Sequence, residues 1–305
     1  MAIETIRRPG TLDFMAMGLT ALIWSSAFIA IKVVVPETGP WWLATYRVGI
    51  GFLAILPYAI WRGFIFPRDG KQWLLIAVTA FFNVVLPFFL ISWAELRIDA
   101  GMTALLMGAG PFFAIIGSHI FTSDDKLTLG KGLACLLGFS AVLLVVGTEA
   151  LAGLGGAHVL AQMAAVAAAL CYTTAGILIR KIDIPPIRLG CLTFGVGLVQ
   201  LIILSLIFAG PPVIVMSSTA AWALLYLGVV PSGIGQILRF TLIRKVGYAV
   251  FALALNLIPV FGIGLGALLL GEVIQPSTFV ALALVLLGLF LSQQDKLFAR
   301  KAQKG

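Results

Sequence analysis

Side chains able to do acid–base, nucleophilic or metal chemistry are few and scattered in this chain of 305 residues. Cys135, Cys171 and Cys191 lie inside apolar runs without the paired spacing of a zinc site, so they read as small packing residues. His119 and His158 form no cluster, there is no His-Glu-x-x-His pair, and no two aspartates share an apolar run. No catalytic residue, metal or cofactor is therefore expected. The polar groups that do fall in apolar runs are mostly uncharged: Ser25, Ser26, Asn83, Ser92, Gln162, Thr173, Thr174, Gln200, Gln236 and Asn256, with Trp24, Trp93 and Tyr172 beside several of them. Hydroxyls, amides and aromatic rings of this kind recognise a molecule without transforming it. They suit a zwitterionic or apolar solute with a few polar handles better than a polyanion. In lipid each such group also needs a hydrogen-bond partner, so glue between helices is the competing reading for every one of them. Trp24, Ser25, Ser26, Asn83, Ser92, Trp93, Tyr172, Thr173, Gln236 and Asn256 are the candidates for a central lining.

Charge inside an apolar run is costly and calls for a reason. Arg47 alone among the basic residues falls within one, with Lys32 at the end of another. Two readings stand for Arg47: pairing with an outer carboxylate such as Glu37, Glu95 or Asp99, or binding the carboxylate of a solute. Acidic residues are absent from the middle of every run, since Asp13, Glu95, Asp124 and Glu272 sit at ends or in loops. That absence argues against antiport of cationic drugs and points to uncoupled movement, with His119 the one titratable candidate. Pro87, Pro111, Pro231 and Pro259 fall near the middle of four runs. A proline in a helix interior removes a donor and clashes with the preceding turn. Either these helices bend around a cavity, as structural or gating positions alongside Arg47, or the kinks serve packing alone.

The elements that must position these residues follow from composition. With 61% hydrophobic and 10% charged residues and a mean hydropathy of +1.11, the chain is too poor in polar surface for a soluble domain. Apolar runs bounded by charge, glycine and proline give ten helical spans, near 12–33, 41–61, 72–93, 100–121, 129–147, 157–178, 188–208, 219–240, 247–270 and 276–293. The first is too long for a signal peptide and is read as a retained helix. Trp41, Trp42, Trp61 and Trp73, at span ends, read as an interfacial belt. Of the 20 basic residues, only Lys32 and Arg97 fall on the side opposite the N-terminus, so both termini are expected in the cytoplasm. The net charge of +8 is thereby explained by topology and anionic lipid, without nucleic acid.

A shift of about 148 residues superposes Ser26-Ala27 on Thr174-Ala175, Lys32 on Arg180, Arg97 on Lys245, Pro111 on Pro259, Phe113 on Phe261 and Asp124 on Glu272. Five helices per half put equivalent residues on opposite sides of the bilayer. The expected fold is an all-α polytopic membrane protein: residues 1–147 and 148–305 form two inverted five-helix repeats around a central cavity, the second ending in a short basic tail. Inverted duplication is a recurrent plan of transporters.

Trp24-Ser25-Ser26-Ala27-Phe28-Ile29-Ala30-Ile31-Lys32, Ala44-Thr45-Tyr46-Arg47-Val48, Pro111 with the acidic turn Asp124-Asp125-Lys126, and Pro259 with Gly271-Glu272 together resemble the drug/metabolite transporter superfamily in its EamA branch. Within that branch the chain is most similar to amino-acid exporters of the YddG type. It departs from the usual Glu-Arg after the fourth helix, having Asp124-Asp125 there, so no role is carried over to that pair. The resemblance implies a secondary transporter in the bacterial inner membrane. It would export aromatic, hydrophobic or other small zwitterionic amino acids, or related metabolites, by alternating access, with lipid as its surroundings and no oligomer required. The alternative is a membrane-embedded enzyme acting on lipid or peptide substrates.

Overall fold

A computed structural model of the chain describes residues 9–63, 66–67, 69–121, 127–151 and 156–302. Arg7, Arg8, Arg68, Lys304 and the Asp124-Asp125-Lys126 turn lie outside them. The described residues form helices α1 (Thr11–Trp61), α2 (Gly70–Ala80), α3 (Leu86–Glu95), α4 (Ala100–Met107), α5 (Gly110–Phe121), α6 (Leu129–Leu151) and α7 (Gly156–Ile179), followed by α8 (Pro186–Phe208), α9 (Ser218–Leu227), α10 (Gly235–Val246), α11 (Tyr248–Leu255), α12 (Ile258–Leu270) and α13 (Pro276–Ala302). Two π-helical segments, π1 (Phe81–Val85) and π2 (Gly228–Ile234), join α2 to α3 and α9 to α10.

Seven of the described helical stretches are long and apolar enough to cross a membrane, and two shorter apolar helices follow them. The protein is thus a polytopic helical membrane protein. The difference from ten separate spans has local causes. The first two spans run together as α1, whose 51 residues would reach about 75 Å if straight, more than twice the hydrocarbon thickness. Gly39, at φ 70° and ψ 163°, breaks this stretch in a conformation that glycine tolerates and other residues resist. Later, Pro259 and the left-handed Gly271 confine α12 to 13 residues.

Helix α1 lies at the centre, packed against α3, α8, α9, π2 and α12, while α6 and α13 pair at one flank. Small residues set the closest crossings. A methyl group added at Gly262 would come within 2.2 Å of the Ala104 Cβ, and one at Gly228 within 2.5 Å of the Ile50 Cβ, so α4 meets α12, and α1 meets π2, almost backbone to backbone. The tryptophans divide. Trp61 is exposed, as a belt residue would be, but Trp42 is buried and Trp41 is sandwiched between Phe89 and Phe208, with ring centroids 4.0 and 5.4 Å away. Interior packing claims Trp41 because α3 and α8 close over this end of α1, while Trp42 stacks on Tyr46 of its own helix at 5.6 Å.

Candidate functional site

The four prolines each coincide with an interruption. Pro87 is the second residue of α3, just past π1, and Pro231 lies inside π2. Pro111 and Pro259 occupy the first turns of α5 and α12, just past the two-residue breaks at Gly108-Ala109 and Asn256-Leu257. The helical partner of the Leu227 carbonyl would be the N–H of residue 231, which proline lacks. Ser232 replaces it twice over: the i→i+5 register of π2 brings its N–H to the Leu227 carbonyl, and its hydroxyl donates to the same oxygen at 2.9 Å.

Arg47 builds on that repair. It is 7% exposed, its Nε donates to Ser232 Oγ at 2.9 Å, and its guanidinium lies over the Phe88 ring at 3.8 Å. The ion pair with Glu37, Glu95 or Asp99 is not formed. Glu95 and Tyr172 are close enough to act on the Arg47 charge, while the Glu37 carboxylate instead accepts hydrogen bonds from the N–H and hydroxyl of Ser217, both at 2.6 Å. A hydroxyl and an aromatic face therefore hold the guanidinium, with Nε the donor given to Ser232.

Ser25 and Thr173 make one contact twice. The Ser25 hydroxyl, on α1, reaches the carbonyl of Ile258 at the α12 break at 3.0 Å. The Thr173 hydroxyl, on α7, reaches the carbonyl of Gly110 at the α5 break at 3.2 Å. The shift of about 148 residues that aligns the two halves of the sequence carries Ser25 onto Thr173 and Gly110 onto Ile258. Each hydroxyl therefore serves the carbonyl next to the proline in the other half. Both also contact the carbonyl four residues back, Ala21 at 2.8 Å and Ala169 at 3.3 Å, so the single hydroxyl hydrogen is shared.

Trp24 donates from Nε1 to the Pro231 carbonyl at 3.1 Å and meets Phe251 edge-on at 6.0 Å. Ser26 donates to Ile23 O and lies 2.6 Å from the Tyr226 hydroxyl. Gln236, one residue beyond π2, keeps a buried Oε1 without a partner, as does the fully buried Ser92 hydroxyl. Asn83 and Asn256 are half-buried, within π1 and the α11–α12 break. Thus Trp24, Ser25, Thr173 and Arg47 bond to residues at the interruptions, and Asn83 and Asn256 lie within them. Trp93 does not: it packs among the residues joining α3, α4, α6 and α13, beneath the exposed Arg97 at 4.6 Å. A cavity of about 490 Å³ between α1, α2 and α8 is lined by apolar groups such as Phe52, Trp73 and Cys191 and holds none of these residues.

Ser232, Phe88 and Tyr226, which touch Arg47 or Ser26, and Glu272, at the start of α4, carry contacts for which they were not singled out. Ser232 had a readable signal, a hydroxyl directly after a proline in an apolar run. Glu272 accepts from the N–H groups of Ala100 at 2.7 Å and Gly101 at 2.9 Å, a carboxylate on a helix N-terminus 171 residues distant in sequence. No local pattern announces such a pairing.

Interrupted helices, hydroxyls bonded to carbonyls beside the prolines, and polar groups inside an apolar helical body describe a membrane protein of bent helices, which its family identifies as a transporter rather than an enzyme. The chain belongs to the EamA-like transporter family, whose sequence profile matches residues 13–147 and again residues 159–293. It is 27% identical to a probable terminal-alkyne amino-acid exporter of Streptantibioticus cattleyicolor, over 94% of this chain and 95% of that one. It is also 27% identical to a probable amino-acid metabolite efflux pump of Escherichia coli K12, over 90% and 92%, and 23% identical to the transporter YoaV of Bacillus subtilis, over 89% and 93%. A solved crystal structure at 18% identity superposes with a TM-score of 0.68, covering 94% of this chain and 97% of that one, which establishes the likeness of fold.

Proposed function

We propose that the protein exports small zwitterionic amino acids, or metabolites related to them, across a bacterial inner membrane by alternating access between two inverted halves, residues 1–147 and 148–305. The observation that carries this reading is the doubled contact of Ser25 on Ile258 O and Thr173 on Gly110 O. It puts the same hinge chemistry at one broken helix of each half. The twofold match to one family profile and the amino-acid names of two relatives favour the same conclusion. In this reading the helical segments make ten crossings, with both termini cytoplasmic as the basic residues require. The mouth bounded by α4 and α12 is shut by the close approach of Gly262 and Ala104, while α5 packs on α6 and α7, and α11 on α10 and α1. A solute enters between α5 and α11. Its ammonium and carboxylate meet hydroxyls, amide groups and the guanidinium of Arg47, and its side chain meets Trp24 and Tyr172.

The test is efflux from proteoliposomes loaded with labelled L-phenylalanine, L-tryptophan, L-leucine, a sugar and a cationic drug. Saturable movement of amino acids that is reduced in Trp24→Ala and Thr173→Val is the expected result. Transport of the drug or sugar with no amino-acid flux would refute the assignment.

A further inference from the structure

Glu95 closes α3 and is 1% exposed, yet neither carboxylate oxygen has a hydrogen-bond partner. Ser92, one turn earlier on the same helix face, is fully buried, and its hydroxyl is equally without a partner. Two adjacent unsatisfied polar groups in an interior need a physical explanation. The groups best suited to satisfy a carboxylate there are occupied elsewhere. Lys32 Nζ donates to the backbone carbonyls of Glu95 at 2.9 Å and Ile98 at 2.7 Å. Glu272 occupies the N–H groups of Ala100 and Gly101. Together these two side chains clamp both sides of the α3–α4 turn, one on the last carbonyl of α3 and a carbonyl of the turn itself, the other on the first amides of α4.

Among titratable groups on the elements packed against α3, Lys32 and Arg47 of α1, and Glu272 beyond α12, act on the Glu95 charge. Helix α7 brings His158, Cys171 and Tyr172, the last coupled to Arg47, while α4 and π1 bring none. A carboxylate stripped of water and of contact partners is expensive, and a bound proton removes that expense. We propose that Glu95 is a proton-binding site, occupied while the α3–α4 turn is clamped and emptied when the turn opens. Only its part in flux rests on the transport reading above. On opening, Lys32 loses two carbonyls and Glu272 two amides. The Glu95 O–H bond then breaks, its proton passes to water, the electron pair stays on the carboxylate, and the freed Lys32 ammonium pairs with it. This replaces the uncoupled movement expected when Glu95 is read only as a residue at a span end.

The experiment is infrared titration of the purified protein in lipid nanodiscs, following the carbonyl stretch of a protonated carboxylic acid. The wild type is expected to show this band at neutral pH, and Glu95→Gln to lack it. Glu95→Asp is expected to move its frequency, which secures the assignment if Glu95→Gln is not recovered. Glu272→Gln, whose amide oxygen still caps α4 but more weakly, loosens the clamp and is expected to reduce the band at least about twofold. Absence of the band in wild type, or its persistence unchanged in Glu95→Gln, overturns the site; an unaltered band in Glu272→Gln overturns its link to the turn. In proteoliposomes, L-phenylalanine flux should vary with pH by up to about tenfold per pH unit, the limit for one proton, and become flat in Glu95→Gln. Flux with the same pH profile in that variant overturns the proton's part in transport. Complete absence of L-phenylalanine flux in wild type refutes the amino-acid reading while leaving the infrared result to decide the proton site.

Discussion

Ser232→Ala removes one hydroxyl and disturbs two helices. The serine is 2% exposed, its hydroxyl adds a second donor to the Leu227 carbonyl that π2 already bonds to the Ser232 N–H, and it accepts from Arg47 Nε. The hydroxyl's bond to that carbonyl is worth about 0.5–1.5 kcal/mol, since the backbone bond of π2 survives the change. The Arg47 contact joins two membrane helices, where measured hydrogen bonds average about 0.6 and reach about 1.7 kcal/mol. The expected loss is therefore about 1–3 kcal/mol, a fall of about 2–12 °C in melting midpoint at about 2–4 °C per kcal/mol. A maleimide dye that fluoresces on reaction would report it, because Cys135, Cys171 and Cys191 are all free and buried and label only as the fold opens. The Arg47→Met single variant and the double variant complete a cycle whose coupling should be about 0.5–2 kcal/mol. Melting of Ser232→Ala within about 1 °C of wild type, or strict additivity with Arg47→Met, would refute the repair role given to this hydroxyl.

Other substitutions test separate parts of the structure. Gly262→Ala should push α4 from α12 and cost about 1–3 kcal/mol as overpacking, with Ala104→Gly restoring thermal stability in the double variant; no rescue would mean that the crossing is not set by this pair. Ser25→Ala and Thr173→Val, each losing one half of the doubled contact, should lower amino-acid efflux to similar extents in proteoliposomes, and a large effect from one alone would argue against equivalent hinges. Gly235→Ala would place a methyl 2.6 Å from Trp24 Nε1, so the Trp24–Pro231 bond should break and tryptophan fluorescence should change. An unchanged spectrum would count against this contact.

Much of the fold is legible in the chain itself. Apolar runs bounded by charge, glycine and proline mark where helices lie, because unpaired backbone groups cannot face lipid, and the prolines mark where those helices break, because the ring removes a donor whatever the surroundings. The repeat likewise aligned Ser26-Ala27 with Thr174-Ala175, since equal spacing survives in a linear string, but it took the hydrogen bonds to single out the neighbouring Ser25 and Thr173 as counterparts. What the string does not contain is which partner a side chain meets. Arg47 could be placed within the apolar body, but its hydrogen bond to Ser232 and its seat on Phe88 depend on α1 crossing π2 and α3. Trp93 and Trp24 look alike as residues beside polar groups, and only packing sends one under Arg97 and the other to Pro231. Glu95 shows the limit most sharply. Its position at the end of an apolar run is a local property, whereas its burial, with Lys32 and Glu272 spent on the turn beside it, arises from segments far apart in sequence. Local spacing governs backbone hydrogen bonding, but desolvation and partner choice are set by whatever the rest of the chain brings alongside.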